Sequence, residues 1–344
     1  MSDSQSNERL PLKGDGGSIR IVFMGTPDFA VQSLSRLVEE GYNVVGVVTM
    51  PDKPIGRHHD VLQSSPVKKF AQEKGIPVLQ PEKLRDETFL AELRALKPDL
   101  QIVVAFRMLP QVVWALPPLG TFNLHAALLP QYRGAAPINW AIINGDTETG
   151  ITTFFLDEQI DTGRIILQER IPIALEDNAE DVHDKLMMQG AELVLKTVRL
   201  IESGEAKATD QSQFMTDEPL RPAPKIFKDT CQIRWQEHTL KSAYDFIRGL
   251  SPYPAAWTPV LANGKETEMK IFKASPIPSE GGEKQSLDEV NGKEAACSPS
   301  PLERDGVRLS LPGGYLSLDE VQLSGKKRMP IADLLRGTKI EVIQ

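Results

Sequence analysis

Apolar and polar positions alternate along residues 19–204 in two rhythms, a short β-rich run and then a helical stripe, and the exchange between them predicts an α/β domain. IRIVFMG (19–25) reads as the first strand, and Asp28 is placed to cap a helix carrying Phe29, Leu34, Leu37 and Val38 until Gly41 ends it. VVGVVT (44–49) follows as a buried strand, so the order is that of a parallel sheet with right-handed crossovers. Ser65 and Pro66 open the next helix and Gly75 closes it. The pattern then repeats through IPVLQ (76–80), a helix around 89–96 stopped at Pro98, the strand DLQIVVAF (99–106) and a short helix near 110–115. A strand from Thr121, a helix over 137–144, the strand pair ITTFFLD (151–157) and RIILQERIPI (164–173), and a long helix over 179–202 with Asn178 as its cap complete this half. Only the stretch 50–64 breaks the rhythm: its prolines and glycine exclude regular structure, and its length marks a functional loop.

Beyond residue 204 the rhythm changes. Residues 205–228 are polar and proline-containing and read as a linker. WTPVLA, MKIFKAS and GVRLSLPGGYLSLDEVQL then alternate with Gly, Pro and Asn punctuation, with one clear helix at 240–250, which predicts a small OB-like β-barrel. Residues 1–18 read as a flexible tail and 279–306 as a disordered insertion. The predicted fold class is α/β: a Rossmann-like open, mostly parallel sheet over 19–204 and a smaller C-terminal OB-like β-barrel domain over 229–344.

A chain of 344 residues, 40% hydrophobic and 25% charged, is large enough for two such domains. The polar N-terminus and the lack of any apolar run of membrane-spanning length lead to the expectation of a cytoplasmic protein with no membrane partner. Cys231 and Cys297 lie far apart, and no disulfide is expected. The formal net charge of −8 argues against wholesale coating by nucleic acid and leaves room for a local basic patch. MGTPDFA holds one glycine where a dinucleotide fold carries three, and there is no phosphate-binding P-loop, so a nucleotide cofactor is not indicated.

Candidate chemistry concentrates in TFNLHAALLPQYRGAAP (121–137). Asn123 and His125 alternate with Phe122, Leu124 and Ala126, so both polar groups project from one face of the strand. The plainer reading of a strand histidine is a satisfied core residue. An asparagine on the same face, at the carboxyl end of a strand, fits instead the crevice where ligands of open α/β sheets bind. Asp161, in the turn between two strands, can return to that end of the sheet, where a carboxylate orients an imidazole and favours its charged form. Asp157 and Glu158 compete with it for this role. His58, His59 and Asp60 suggest a metal only weakly, since adjacent ligands diverge and no second cluster completes a site; no metal is expected. His183 and His238 read as structural or exposed.

Asn123, His125 and Asp161 match in order and spacing the pattern of the folate-dependent formyltransferases, which this chain resembles. The family's Ser-Leu-Leu-Pro turn stands here as Ala127-Leu128-Leu129-Pro130, with alanine as the one departure. FMGTPDFA, PDKPIGR, YRGAAP, DTG and GKKRMPIADLLRG together place the resemblance among the members that act on methionyl initiator tRNA, over nearly the whole chain after residue 18. The resemblance implies transfer of a formyl group from 10-formyltetrahydrofolate to the methionyl amine, by a monomer without a metal. It implies Asn123, His125 and Asp161 as the catalytic groups and Ala127 to Pro130 as the folate-binding turn. It also implies tRNA contacts from Lys53 and Arg57 in the loop and from Lys326, Lys327 and Arg328 in the second domain. His58, His59 and Asp60 stand where lysines are common in the family. An amino-sugar formyltransferase shares the motif and a second β-rich domain; the GTPDFA and PDKPIGR stretches favour the tRNA enzyme. Glycinamide ribonucleotide formyltransferase lacks the second domain, and an RNA-binding module without catalysis would leave Asn123, His125 and Asp161 unexplained.

Overall fold

The computed structural model describes residues 18–55, 61–278 and 306–343. Nearly all of the expected tail and of the expected insertion, together with Arg57, His58, His59 and Asp60, lie outside the described residues. The chain divides into two compact units. One gathers the residues up to Gly134 with Gly150–Ile171 and His183–Pro222; the other gathers Ala135–Thr149, Pro172–Val182 and the residues from Ala223 onward.

The first unit is organised by β1 (Arg20–Gly25), β2 (Asn43–Val48), β5 (Val78–Leu79), β6 (Leu100–Val104), β7 (Thr121–His125), β8 (Glu148–Phe155) and β9 (Ile165–Pro172). They form one sheet in the order β5-β2-β1-β6-β7-β8-β9, parallel from β5 to β7 and antiparallel between β7 and β8. The chain winds outward from β1 in one direction and returns at β6 to wind in the other. Between them is the topological switch point of an open α/β sheet.

Helices α1 (Asp28–Glu39), α2 (Pro66–Glu73), α3 (Glu87–Ala95), α4 (Gln111–Trp114) and α6 (Ala179–Glu202) connect and cover the strands. Val22, Met24, Val48 and Val103 pack with Phe89, Leu90 and Leu93 of α3 and Val113 of α4. The opposite face meets α6. A Cβ on Gly190 would stand 2.8 Å from Leu124 Cδ2, and the Thr153 and Thr197 hydroxyls are 2.8 Å apart.

Most predicted helix ends are seen. Ser65 Oγ accepts from Lys68 N at 3.0 Å, and Asn178 Oδ1 accepts from the amides of Glu180 and Asp181. Two local expectations are corrected. Asp28 is the first residue of α1 and not its cap; Pro27 holds that position and no side chain bonds the free amides. The stretch 50–64 is not irregular throughout, because β3 (Lys53–Ile55) pairs antiparallel with β4 (Val61–Gln63). Pro54 is tolerated there because a two-stranded ladder leaves an outward side on which no amide is needed. Asp52 anchors the base of this hairpin, accepting from Lys68 Nζ at 2.6 Å and Gln80 Nε2 at 2.9 Å, and these donors hold its carboxyl below the usual range.

The second unit holds α5 (Pro137–Ile143), α7 (Leu240–Leu250), β10 (Ala256–Ala262), β11 (Lys265–Pro278), β12 (Val307–Leu311), β13 (Gly314–Leu323), β14 (Met329–Pro330), α8 (Ile331–Leu335) and β15 (Ile340–Val342). Its antiparallel sheet runs β12-β13-β11-β10-β15, with β14 on β13, and curls as a half-barrel. Among the described residues its hydrogen bonding does not close into a full ring. Leu240, Phe246, Ile247 and Leu250 of α7 join Met269, Ile271, Leu316, Leu318 and Val321 in its core. Trp235 is buried there, with its indole N–H donating to Thr258 Oγ1 at 2.9 Å. Asp245 and Arg248 are also buried and pair at 2.8 Å, so neither charge is left uncompensated.

Candidate active site

Register places the site. Asn123 lies beside Val103 of β6, which lies beside Met24 of β1, so the three share the sheet face on which α3 and α4 pack. Phe122 and Leu124 fill the opposite face and are buried. Asn123 is half-buried, and among the described residues no hydrogen bond engages its side-chain amide. Two donors and an acceptor are therefore available to a ligand at the carboxyl end of β7.

His125 follows on the same face and is only 6% exposed. Its Nε2 is 2.9 Å from the carbonyl oxygen of Tyr132. Its Nδ1 is 3.9 Å from Asp161 Oδ2. The structure thus brings Asp161 to the imidazole. Asp157 is used otherwise: its Oδ1 accepts from Gln159 N and Thr162 Oγ1, which shapes the turn. The Asp161 carboxylate is itself oriented by Gly134, whose amide donates to Oδ2 at 2.9 Å. Gly134 has φ +127° and Asp161 φ +55°, so both loops facing the histidine carry left-handed residues. Gly163 is constrained further, since a Cβ there would sit 1.6 Å from the Phe155 carbonyl oxygen.

The turn after β7 is built inward. Ala127 O accepts from Thr152 Oγ1 at 2.6 Å, Leu129 N donates to the same hydroxyl at 3.3 Å, and Leu129 O accepts from Gln168 Nε2 at 2.9 Å. Ala127, Leu129 and Pro130 are buried, and Leu128 alone of the four is half-buried. Much of the turn's backbone is therefore occupied internally, and the Leu128 side chain packs on Gly150, where a Cβ would stand 2.4 Å from Leu128 Cδ2. Nothing in the sequence points to Thr152 and Gln168, which reach the turn because β8 and then β9 extend the sheet from β7.

The expected cationic contacts differ in what engages each side chain. Lys53 is exposed at the start of β3. In the second unit Lys326 Nζ donates to Thr338 Oγ1 at 3.1 Å. Arg328 makes a two-pronged pair with Glu320, at 2.7 and 2.6 Å, and lies 4.4 Å from the centre of the Phe272 ring. That pairing raises the Arg328 pKa and lowers that of Glu320. Lys327 is exposed, and its charge is engaged by no described residue. Among the described residues no cluster of three or more His, Cys, Asp or Glu could hold a metal ion, and no helix is long and apolar enough to cross a membrane.

Comparison with known proteins identifies the family. The formyl transferase model matches residues 19–198, and the model for the formyl transferase C-terminal domain matches 225–339. The methionyl-tRNA formyltransferase of Parabacteroides distasonis is 58% identical over 323 residues, 93% of this chain and 96% of that protein. Among solved structures, HypX from Aquifex aeolicus in complex with tetrahydrofolic acid superposes with a TM-score of 0.60 at 20% identity, over 93% of this chain and 47% of that one. WlaRD, a sugar 3N-formyl transferase in the presence of dTDP and 5-N-formyl-THF, gives 0.60 at 21% identity, over 91% of this chain and 100% of that one. These two likenesses speak for the fold, whereas the family matches and the 58% relative speak for descent. The chain belongs to the formyl transferase family, with the methionyl-tRNA formyltransferases.

Proposed function

We propose that this enzyme moves the formyl group of 10-formyltetrahydrofolate to the α-amine of methionine esterified to initiator tRNA, with Asn123, His125 and Asp161 as its catalytic groups. The observation that carries the reading is the free Asn123 amide on one strand face with His125, which itself faces Asp161 across 3.9 Å. The fit to a formyl donor rests on that unpartnered, half-buried amide: a carbonyl oxygen is the acceptor it lacks.

Attack of the amine on the formyl carbon forms the new N–C bond and leaves negative charge on the formyl oxygen. The Asn123 amide donates to that oxygen, and the charge that His125 gains on taking a proton adds to the stabilisation. The His125 to Asp161 separation is too long for a direct hydrogen bond. Two hydrogen bonds of about 2.8 Å, meeting at one interposed atom at roughly a right angle, would span it. An amine nitrogen or a water placed there touches both groups, which gives the proton lost by the amine a path to Asp161 or His125. When the tetrahedral species collapses, the bond from carbon to the folate nitrogen breaks and a proton returns to that nitrogen.

The amino-sugar reading rests on fold likeness at 21% identity, against 58% for the tRNA enzyme. Kinetics with methionyl initiator tRNA, uncharged initiator tRNA and a nucleotide-linked amino sugar, each with the same formyl donor, separate the two. Formylation of the charged tRNA alone is expected; formylation of the sugar in preference overturns the reading.

A further inference from the structure

Gln211 falls in the stretch whose composition reads as a linker, yet it is 4% exposed and every polar group of its carboxamide is engaged. Its Nε2 donates to Asp161 O at 2.9 Å and to Gly163 O at 2.8 Å. Its Oε1 accepts from Arg133 Nε at 3.1 Å and Nη2 at 2.6 Å. The orientation of the amide follows from its partners, because two carbonyls demand the NH2 group and a guanidinium demands the oxygen. The residue is fixed from its own backbone as well. Thr209 exchanges two 2.8 Å backbone bonds with Ile165 at the start of β9, and Asp210 Oδ1 accepts from Ser212 N at 2.8 Å to open the short 3₁₀ turn Gln211–Phe214.

The two segments that Gln211 joins are those that hold the His125 and Asp161 pair. On one side is the Asp161 turn, with Asp161 in a left-handed conformation that an L residue keeps only when its surroundings impose it. On the other is Arg133, flanked by Tyr132, whose carbonyl meets His125 Nε2, and by Gly134, whose amide holds Asp161 Oδ2. We infer that Gln211 is a positioning residue for formyl transfer: its carboxamide ties the 161–163 turn to the 132–134 loop and thereby sets the separation of Asp161 from His125. This rests on the reading of that pair as catalytic.

A displacement of about 1 Å in such a pair lowers turnover by on the order of 10²-fold. Gln211→Glu places a carboxylate against two carbonyl oxygens, and Gln211→Met removes all four bonds at similar volume. Both variants, and Arg133→Met, which cuts only the Oε1 arm, are compared with the parent enzyme in formylation of methionyl initiator tRNA, each also in an Asp161→Ala background. Positioning through Asp161 requires kcat to fall roughly 10- to 100-fold for Gln211→Met, with both KM values within about threefold, and to show almost no further loss once Asp161 is alanine. An undiminished kcat, or a loss that simply multiplies with that of Asp161→Ala, overturns the inference. If the Gln211 variants do not fold, Arg133→Met decides by the same criterion. Full activity in Asp161→Ala itself overturns the catalytic reading, which is thus distinguished from failure of the Gln211 assignment.

Discussion

The carbonyl oxygen of Tyr132 lies 2.9 Å from His125 Nε2. A carbonyl only accepts, so Nε2 carries the proton and Nδ1 is the nitrogen turned toward Asp161. This fixes the direction in which the ring can exchange a proton, and it leaves Asn123 as the group on that face with no protein partner among the described residues.

Removing either polar group from the β7 face affects chemistry more than folding. Asn123→Ala and His125→Ala are expected to lower kcat by about 10²-fold or more, the range for loss of an oxyanion donor or a proton-transfer group. Steady-state kinetics alongside thermal unfolding checks this, and near-normal turnover in a folded His125→Ala enzyme would remove that residue from the mechanism.

Asp161→Asn keeps, through its amide oxygen, the acceptor that Gly134 N–H requires, and that same oxygen then faces His125 Nδ1 in place of a carboxylate. The change therefore removes the negative charge beside the ring while leaving the hydrogen bond that orients the turn in place. The expected outcome is a kcat reduced about 10²-fold or more with little change in fold. Steady-state kinetics beside thermal unfolding checks this; full activity would exclude a role for the carboxylate charge.

The cations of the second unit should separate by function. Lys327 is free to meet a phosphate, so Lys327→Ala is expected to raise KM for tRNA and to flatten its log–log dependence on salt by somewhat under one unit. Arg328 is held by Glu320 and Phe272, so Arg328→Ala is expected to cost the unit about 1 kcal/mol or less of stability with a smaller change in salt dependence. Equal salt slopes for the two variants would contradict this division.

His238 packs 5.2 Å from the Phe246 ring, and burial pushes its pKa below the ordinary value. A histidine that is harder to protonate in the folded state leaves stability intact above its unfolded pKa of about 6.5. It withdraws stability as pH falls from there toward the folded value, because the unfolded chain takes up the proton first. Denaturant unfolding from pH 7 to pH 5 should therefore show a loss that His238→Gln reduces; identical pH profiles would place the acid sensitivity elsewhere.

Much of the local order was decided by the sequence alone. The 3.6-residue and two-residue rhythms, the caps at Ser65 and Asn178, and the alternation of Asn123 and His125 against Phe122 and Leu124 involve residues only a few positions apart, and period and capping chemistry suffice for them. The motif at Asn123, His125 and Asp161 was legible because residue type and order survive without coordinates. Tertiary structure supplied the geometry by which Asp161 rather than Asp157 meets His125: the two differ by four positions, and the left-handed turn sends one to the imidazole and the other into its own loop. It also decided that Gln211 belongs to the site, that Thr152 and Gln168 occupy the backbone of the 127–130 turn, and that Arg328 is committed to Glu320 while Lys327 is not. Each of these is a contact between residues remote in sequence or a choice between neighbours of like chemistry. Composition cannot register either, because it records which groups a chain carries and not the direction in which folding turns them.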